Sequence, residues 1–376
     1  PLPRRRTAPQ RPQVTRARVL TRALEVIIDT PPNLADVPFS RGRHHLRLPV
    51  TTAMNGMAVG IDVIVHDGDA PGPTLTLQAG LHGNEWQHLD FFMRLDRELP
   101  GMSFTGRVVL LPMVNAVAFG SLTRNIQDDS DAPDANRLFP GGPRPQVGLA
   151  EQIATVLADG VLKHTNYLLD FHLGIWGSTL GSTIIGSDFS DPTVRDASHA
   201  LAKAYGVPLV FRTKMMSVFP GPRAAQAYVG EVLKIPSCGS FLGGAGFAEE
   251  LEDDWTDANY RGVLNVMQSV DMLDGDPVLP ERYLVYENVQ RVNPRTGGLL
   301  VPARRRDVFG REVAAGELLG QVVSPFSLEP IEDLVAPMDG YLGYWSRSYP
   351  VNPGDWAFAV VPGDHPGTRW VSADEF

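Results

Sequence analysis

The fold is decided around one stretch of the sequence, Leu77-Gln78-Ala79-Gly80-Leu81-His82-Gly83-Asn84-Glu85-Trp86. The apolar run at residues 74–79 predicts a short buried strand that ends at Gly80. Helical periodicity follows over residues 85–99, so His82 and Glu85 lie in the loop and the first helical turn, three residues apart and able to face one point. Because ligands of open α/β sheets bind at the carboxyl ends of strands, this loop is a candidate site.

The same alternation of strands and helices continues outward from this stretch. The patterns predict strands at residues 57–66, 108–113, 166–171 and 209–212, and helices at residues 149–163, 192–205 and 259–273. Asp191 is placed to cap the helix that begins at Pro192. Short buried strands separated by helices predict an α/β fold, with a mixed twisted sheet flanked by helices on both faces.

The sequence changes character after residue 273, where short β-rich runs are separated by Gly and Pro. Residues 335–341, followed by Pro353-Gly354-Asp355, resemble the hairpins of biotinyl- and lipoyl-like domains but lack their carrier lysine. We therefore predict a catalytic domain at residues 31–284 and a small all-β domain, sandwich- or barrel-like, at residues 285–376. The arginine-rich residues 1–30 predict a flexible basic arm.

Composition excludes several classes of protein and of metal site. The chain has 376 residues, a net charge of −10 and one cysteine, Cys238. One thiol forms neither an internal disulfide nor a thiolate metal site, so any metal must be held by histidine and carboxylate. The negative charge does not favour nucleic acid, and no apolar run approaches the about 20 residues that a membrane helix needs. We expect a cytoplasmic protein with no nucleic-acid or membrane partner.

A second strand end completes a candidate metal site. The triplet Asp170-Phe171-His172 closes the strand predicted at residues 166–171. Two histidines and one glutamate from strand ends match the open ligand set of a catalytic zinc, which leaves a position for water. The pair His82 and Glu85 alone also fits a capping glutamate beside a polar histidine, and His172 shifts the balance towards a metal site.

Further motifs appear in a fixed order along the chain. They are Gly80-Leu81-His82-Gly83-Asn84-Glu85, Asn115 with Gly120 and Arg124, Asp134-Ala135-Asn136-Arg137-Leu138-Phe139-Pro140-Gly141, Asp170-Phe171-His172 and Gly243-Gly244. With these motifs the sequence resembles the succinylglutamate desuccinylase/aspartoacylase family, a branch of the zinc carboxypeptidase superfamily. The resemblance covers nearly the whole chain after residue 45.

The resemblance implies a role for each matching residue. It implies one zinc ion per chain, held by His82, Glu85 and His172, as in zinc-carboxypeptidase-like folds. It implies that Arg124 polarises the scissile carbonyl and stabilises its oxyanion, which suits a fixed cation at a developing negative charge.

The resemblance also implies a site for a small-molecule carboxylate substrate. Asn136 and Arg137 match a pair that grips this carboxylate, where a planar guanidinium binds in a bidentate way; a turn residue with a surface salt bridge is the alternative. Asp170 is expected to hydrogen-bond a ligand and not to bind the metal itself. Trp176 is a candidate wall of the substrate pocket, and plain packing is equally compatible with it.

One position breaks the family pattern. Hydrolytic members carry a glutamate two residues before the Gly-Gly pair, where it moves the proton from the attacking water to the leaving amine. In this chain the position is Phe241. Glu249 and Glu250 are the nearest substitutes, although a solvated acidic face also explains them. Cys238 lies three residues before Phe241, either as part of the site wall or as a small buried hydrophobe.

These observations predict a zinc-dependent amidohydrolase, a deacylase that releases an amine or amino acid from a small N-acyl substrate bearing a carboxylate. Two alternatives stay open because of Phe241: a zinc-dependent lyase on the same scaffold, and a non-catalytic relative that binds metal or ligand. We expect a homo-oligomer.

Overall fold

The computed structural model describes residues 33–144, 146–173, 178–218, 220–244, 249–304, 307–346 and 350–376. The basic arm predicted at residues 1–30 lies outside the described residues, as does Trp176. The side chains of Glu249 and Glu250 are also outside the description, although their backbone begins a helix.

The helices of the described chain are α1 (Leu89–Glu98), α2 (Ala116–Gly120), α3 (Leu149–Gly160), α4 (Pro192–Tyr205), α5 (Ala225–Glu231) and α6 (Glu249–Ser269). The strands are β1 (Gly42–Thr52), β2 (Ala58–Asp67), β3 (Ala70–Gln78), β4 (Thr105–Leu111), β5 (Tyr167–Phe171), β6 (Ser178–Gly186), β7 (Leu209–Thr213), β8 (Ser237–Gly243), β9 (Arg282–Tyr286), β10 (Gln290–Val292), β11 (Gly298–Pro302), β12 (Glu312–Val313), β13 (Leu318–Val323), β14 (Pro330–Val335), β15 (Gly340–Ser346), β16 (Pro350–Val351), β17 (Phe358–Pro362) and β18 (Arg369–Ser372).

Fourteen of the described strands form one large mixed sheet. Its main path runs β1-β2-β4-β3-β5-β8-β6-β15-β17-β10, and β7, β9, β12 and β18 pair beside it. Strands β4, β3, β5 and β8 are parallel neighbours, whereas β6 runs antiparallel to β8. The predicted α/β class, a mixed sheet flanked by helices, is confirmed.

Apolar side chains alternate along the central strands and build a core on each face of the sheet. On β4, Val108 and Leu110 face one core while Val109 and Leu111 face the other. Helices α1, α4 and α6 cover the first face, and α3 and α5 cover the second. Burial on both faces explains why these strands read as nearly continuous apolar runs in the sequence.

The segment after residue 273 is β-rich, as its sequence predicts, and contains no α-helix among the described residues. Strands β14, β13, β11 and β16 form a separate four-stranded antiparallel sheet, whereas β15 pairs with β6 and so joins the large sheet. The division of the chain at residue 285 stays a prediction.

Two helix starts differ from the predicted ones. Helix α1 begins at Leu89, so Glu85 lies in the turn before it, and α6 begins at Glu249, ten residues before the predicted start at 259. The first turns of α6 are mostly acidic, so the sequence shows little apolar periodicity there. In the structure Trp255 in this part of the helix is buried. No helix in the described part of the chain is long and apolar enough to cross a bilayer.

Candidate metal centre

Two neighbouring parallel strands bring the candidate ligands to one edge of the sheet. Gln78, the last residue of β3, is in register with Asp170 near the end of β5. The loop after β3 carries His82 and Glu85, and His172 follows β5 directly. The adjacency of two strand ends that are far apart in sequence is therefore what assembles the site.

Glycine allows the loop after β3 to lie against its neighbours. Gly80 has a φ of +66°, and a Cβ there would lie 2.4 Å from Met113 Sδ; a Cβ on Gly83 would lie 2.2 Å from the backbone of Ala118 in α2. Asn115 caps α2 by accepting from Ala118 N at 3.1 Å, and its Nδ2 donates to Leu81 O at 3.4 Å. The short helix α2 therefore fixes the backbone from which His82 and Glu85 project.

His82, Glu85 and His172 form one buried cluster. Each is at most 3% exposed, and their nearest ligand atoms all lie within 4.8 Å of one another. The Nδ1 atoms of His82 and His172 each lie 2.9 Å from an oxygen of Glu85, and Leu173 N donates to Glu85 Oε2 at 3.1 Å. These three residues could hold one metal ion.

The outer nitrogen of each histidine faces a carboxylate. His82 Nε2 is 3.0 Å from Asp134 Oδ1, and His172 Nε2 is 3.2 Å from Asp170 Oδ2. Gln78 Nε2 donates in turn to Asp170 Oδ1 at 2.8 Å. With the ring proton on Nε2 and donated to the carboxylate, the Nδ1 lone pair of each imidazole points into the cluster, as in metal-binding histidines.

The donor set fits a divalent cation. His82 Nδ1 is buried and makes no hydrogen bond within the described residues, although it lies 2.9 Å from Glu85 Oε1. A buried nitrogen close to an acceptor but not aligned as a donor is costly unless its lone pair is used. Two imidazole nitrogens and one carboxylate that converge in this way are the ligands that a catalytic zinc uses.

The charges of the cluster compensate one another. Burial alone would raise the pKa of Glu85, but His82 and His172 hold it well below its usual range. Burial alone would lower the pKa of His172, but Asp170 and Glu85 raise it to about 10. The two carboxylates therefore favour a positive charge on His172, and they would equally favour a cation bound in the cluster.

Arg124 and Asp134 form a second layer over the cluster. Arg124 Nη1 lies 3.1 Å from Glu85 Oε1 and Nη2 lies 3.0 Å from Asp134 Oδ2, with the side chain 32% exposed. Burial would raise the pKa of Asp134, but His82 and Arg124 lower it strongly, so it is a carboxylate. The sequence reasoning gave Asp134 no role. The available signal was its position before the 3-10 turn Ala135–Arg137, which it caps by accepting from Asn136 N.

Asn136 and Arg137 lie beside the cluster with different environments. Asn136 is 6% exposed; its Oδ1 accepts from Ala225 N at 2.8 Å and its Nδ2 is 3.3 Å from His172 Nε2. This burial excludes a surface turn residue. Arg137 is more open, and its Nη1 donates to Asn136 O at 2.7 Å. Burial lowers the pKa of Arg137, and nearby Arg124 lowers it further.

Phe241 lies where a catalytic glutamate was expected. Its ring stacks on the imidazole of His172, with centroids 5.2 Å apart and planes 27° apart. Cys238, on the same strand, is fully buried in the core, and burial raises the pKa of its thiol to about 12. The cysteine is therefore a small buried hydrophobe and not a nucleophile.

His88, one turn after Glu85, packs edge-on against the rings of Phe91 and Phe171 and is 2% exposed. Both ring nitrogens lack a hydrogen-bond partner among the described residues, and burial lowers its pKa to about 3. The ring is thus neutral and packs among aromatic side chains close to the cluster.

Comparison with known proteins identifies the family of the chain. A family model of the succinylglutamate desuccinylase/aspartoacylase catalytic domain matches residues 71–269, more than half of the chain. The chain belongs to this family. The resemblance seen in the sequence motifs is therefore confirmed, and the named activities of the family are deacylations.

Relatives of similar length are found among characterised proteins and solved structures. The N-alpha-acetyl-L-2,4-diaminobutyric acid deacetylase of Halomonas elongata is 27% identical over 331 residues, which cover 84% of this chain and 90% of the relative. The succinylglutamate desuccinylase/aspartoacylase of Rhodobacter sphaeroides has a TM-score of 0.71 at 25% identity, covering 89% of this chain and all of the other. The product-bound ectoine utilization protein EutE of Ruegeria pomeroyi has a TM-score of 0.70 at 23% identity, over 87% and 98% of the two chains.

Proposed function

We propose that the chain is a zinc-dependent deacylase that releases an amine or amino acid from a small N-acyl substrate bearing a carboxylate. The observation that carries the proposal is the buried cluster of His82, Glu85 and His172 at adjacent strand ends. Family membership and the deacetylase relative support amide hydrolysis.

In this proposal His82, Glu85 and His172 hold one zinc ion, and Asp134 and Asp170 orient the two imidazoles from behind. A zinc ion in such an open site polarises a carbonyl and activates water at neutral pH. The buried hydrogen bonds from Gln78 and Leu173 N keep the carboxylates in place before substrate arrives. The ligands are therefore ordered when the protein folds, and they need not be ordered again at each turnover.

Arg124 and Arg137 are the proposed substrate contacts. Arg124 is partly exposed at the rim of the cluster, so its guanidinium is positioned to donate to the scissile carbonyl as negative charge develops there. Arg137 lies near Arg124, whose charge repels it, and near Asp134, whose charge attracts it more strongly; a substrate carboxylate would add to that attraction. We assign the carboxylate contact chiefly to Arg137, with Asn136 holding the backbone and His172 in position.

The proton-transfer group is proposed to come from the start of α6. Phe241 cannot accept a proton, and the described carboxylates at the site, Asp134 and Asp170, already accept bonds from the imidazoles. Glu249 and Glu250 begin α6 and follow β8 closely in the chain. One of them is proposed to take the proton from the attacking water and to return it to the leaving amine.

Phe241 also favours a second candidate, a zinc-dependent cleavage that is not hydrolysis. With phenylalanine in place of the glutamate the usual proton-transfer group is absent from this position, and an apolar ring stacks on His172 beside the proposed metal. A lyase that needs a differently placed base would tolerate this change.

The test combines metal analysis with a substrate panel. The purified chain is assayed for bound zinc and for amine release from N-acetyl and N-succinyl amino acids and from their carboxylate methyl esters. Zinc with amine release from the free acids, and not from the esters, supports the proposal. Zinc with cleavage of another bond supports the lyase, and zinc without turnover points to a ligand-binding relative.

The same panel tests the assignment of the base. Glu249→Gln and Glu250→Gln are compared with Asp253→Gln, an exposed position on the same helix. One of the first two variants should lose kcat by about 100-fold or more while it retains zinc. Full activity in both would remove α6 from the mechanism.

A further inference from the structure

A small cavity lined by cationic and imidazole side chains lies away from the metal centre. Its polar residues are His199 on α4, Arg212 on β7 and Arg369 at the start of β18. Two strands, β8 and β6, separate β7 from β5, which carries the metal cluster at its end. The cavity is therefore a separate feature of the fold.

Two buried nitrogens in this cavity lack hydrogen-bond partners. Arg212 Nε and His199 Nε2 are both inaccessible to solvent and pair with no described group. The far end of the Arg212 guanidinium lies 3.6 Å from Glu287 Oε1, a contact that leaves Nε unsatisfied. A buried guanidinium N–H costs free energy unless something accepts from it, so an acceptor in the cavity is missing from the protein itself.

The charge around these donors favours an anion over water as that acceptor. No acidic side chain lines the cavity among the described residues, while two guanidinium groups do. Burial and neighbouring Arg212 lower the pKa of His199 to about 4, so its ring is neutral and can donate from one nitrogen. A water molecule would also satisfy the donors. Glu287 lies 3.6 Å from the Arg212 guanidinium, whereas Arg369 has no acidic partner within the described residues, so an anion adds a charge contact that water does not.

The size of the cavity restricts the ligand. Its volume is about 30 Å³, and the apolar walls are Ile185, Val285, Val371 and Phe376. Since one water-sized group needs about 10–15 Å³, two such groups fit inside. That space matches two oxygen atoms of a carboxylate or phosphate group, with exposed Arg369 at the mouth to contact the remainder.

We propose that this cavity binds a small oxyanion, held by Arg212 Nε, by the imidazole of His199 and by the Arg369 guanidinium. Planar guanidinium groups suit carboxylate and phosphate oxygens because they offer paired donors in a fixed geometry. The apolar walls exclude larger charged groups and leave the ligand's other substituents at the cavity mouth. The site is independent of the proposed zinc chemistry.

The experiment measures anion binding to the zinc-loaded chain and to three variants. Inorganic phosphate is titrated by calorimetry at constant ionic strength into the wild type, Arg212→Gln, Arg369→Gln and Arg261→Gln. Arg261 is an exposed arginine on α6 that lies outside the cavity and controls for the loss of one positive charge. A second series repeats the titration with acetate present.

The wild type and Arg261→Gln should each bind one phosphate per chain. Arg212→Gln should bind about tenfold or more weakly, because it loses a charge-assisted hydrogen bond. Arg369→Gln, at an exposed strand end, should also weaken binding and gives the same test if Arg212→Gln does not fold. Displacement of phosphate by acetate would identify a carboxylate site, and resistance to acetate a phosphate site.

The proposal fails if the wild type shows no saturable binding at millimolar phosphate. It also fails if binding is equally strong in Arg212→Gln and Arg369→Gln, since phosphate would then be held elsewhere, at the metal for example. Because zinc content and deacylase activity are measured separately, neither outcome depends on the proposed function.

Discussion

Replacing Asp134 by asparagine keeps the three proposed metal ligands and changes only a group that orients one of them, His82. Asp134 Oδ1 lies 3.0 Å from His82 Nε2, Oδ2 lies 3.0 Å from Arg124 Nη2, and the side chain is 22% exposed. Asparagine keeps the size of the group and one acceptor oxygen. It removes the negative charge, and its NH₂ group takes the place of the carboxylate oxygen that now faces either His82 Nε2 or Arg124 Nη2.

The contacts of Asp134 set the expected size of the effect. A hydrogen bond to a charged group contributes about 1.5–3 kcal/mol. Loss of a carboxylate behind a metal-binding histidine costs about 10- to 100-fold in metal affinity, which corresponds to about 1.4–2.8 kcal/mol at 1.4 kcal/mol for each factor of ten. The two values agree, so Asp134→Asn should bind zinc about 10- to 100-fold more weakly. With zinc in excess kcat should also fall, because Arg124 keeps its contact with Glu85 but loses the one with Asp134 that also holds it in place.

Zinc affinity is measured by competition with a chelator of known affinity, and kcat at saturating zinc. Asp276→Asn, an exposed loop position far from the ligands in sequence, is the matched control and should leave both quantities unchanged. If Asp134→Asn binds zinc within twofold of the wild type, the role given to this carboxylate is wrong. If zinc affinity falls and kcat is unchanged, the contact of Asp134 with Arg124 has no catalytic effect and only its contact with His82 matters.

Four further predictions concern individual residues of the proposed site and one buried ion pair outside it. His82→Ala should abolish both zinc content by mass spectrometry and amine release. Arg137→Lys should raise KM for a carboxylate substrate about tenfold with little change in kcat, through the loss of bidentate binding. Burial would lower the pKa of His172, but its carboxylate neighbours raise this pKa to about 10, so zinc binding at pH 7 should displace a proton from it. Zinc affinity should therefore rise with pH up to about this pKa. Calorimetry in two buffers of different ionisation enthalpy should show the released proton. Arg107→Ala removes the two-pronged partner of buried Asp67 and leaves it only Ser40 N and, at 3.7 Å, His44 Nε2, so denaturant unfolding should show a loss of about 3 kcal/mol.

Local patterns in the sequence predicted most elements and the ligand set. Helix α4 has the predicted bounds because Asp191 accepts from Thr193 N and Pro192 occupies the first position, two local signals. Helix α6 was predicted too short, since its first turns are acidic and only the buried Trp255 shows that they pack. A pattern that depends on apolar spacing cannot find a turn whose residues are mostly charged.

The environment of Asn136 was not readable in the same way. Its sequence motif matches a substrate-binding pair, but in the structure its amide oxygen accepts from Ala225 N, and its amide nitrogen lies 3.3 Å from His172 Nε2. Ala225 lies 89 residues further along the chain, so this contact exists only after α5 packs against the sheet. Which side chains are free for a ligand is therefore a property of the packed structure.

The sequence by itself determined which residues are able to bind a metal. With one cysteine, any metal had to be held by histidine and carboxylate, and of the nine histidines His82 and His172 follow predicted strand ends, with Glu85 three residues after His82. Only the tertiary structure decided their arrangement, because β3 and β5 are paired in parallel and bring two strand ends together across the sheet. It also decided that Asp134 lies behind His82 and that Phe241 stacks on His172. Such contacts depend on which strands become neighbours and on how distant loops pack, and both are decided by interactions between residues far apart in the sequence.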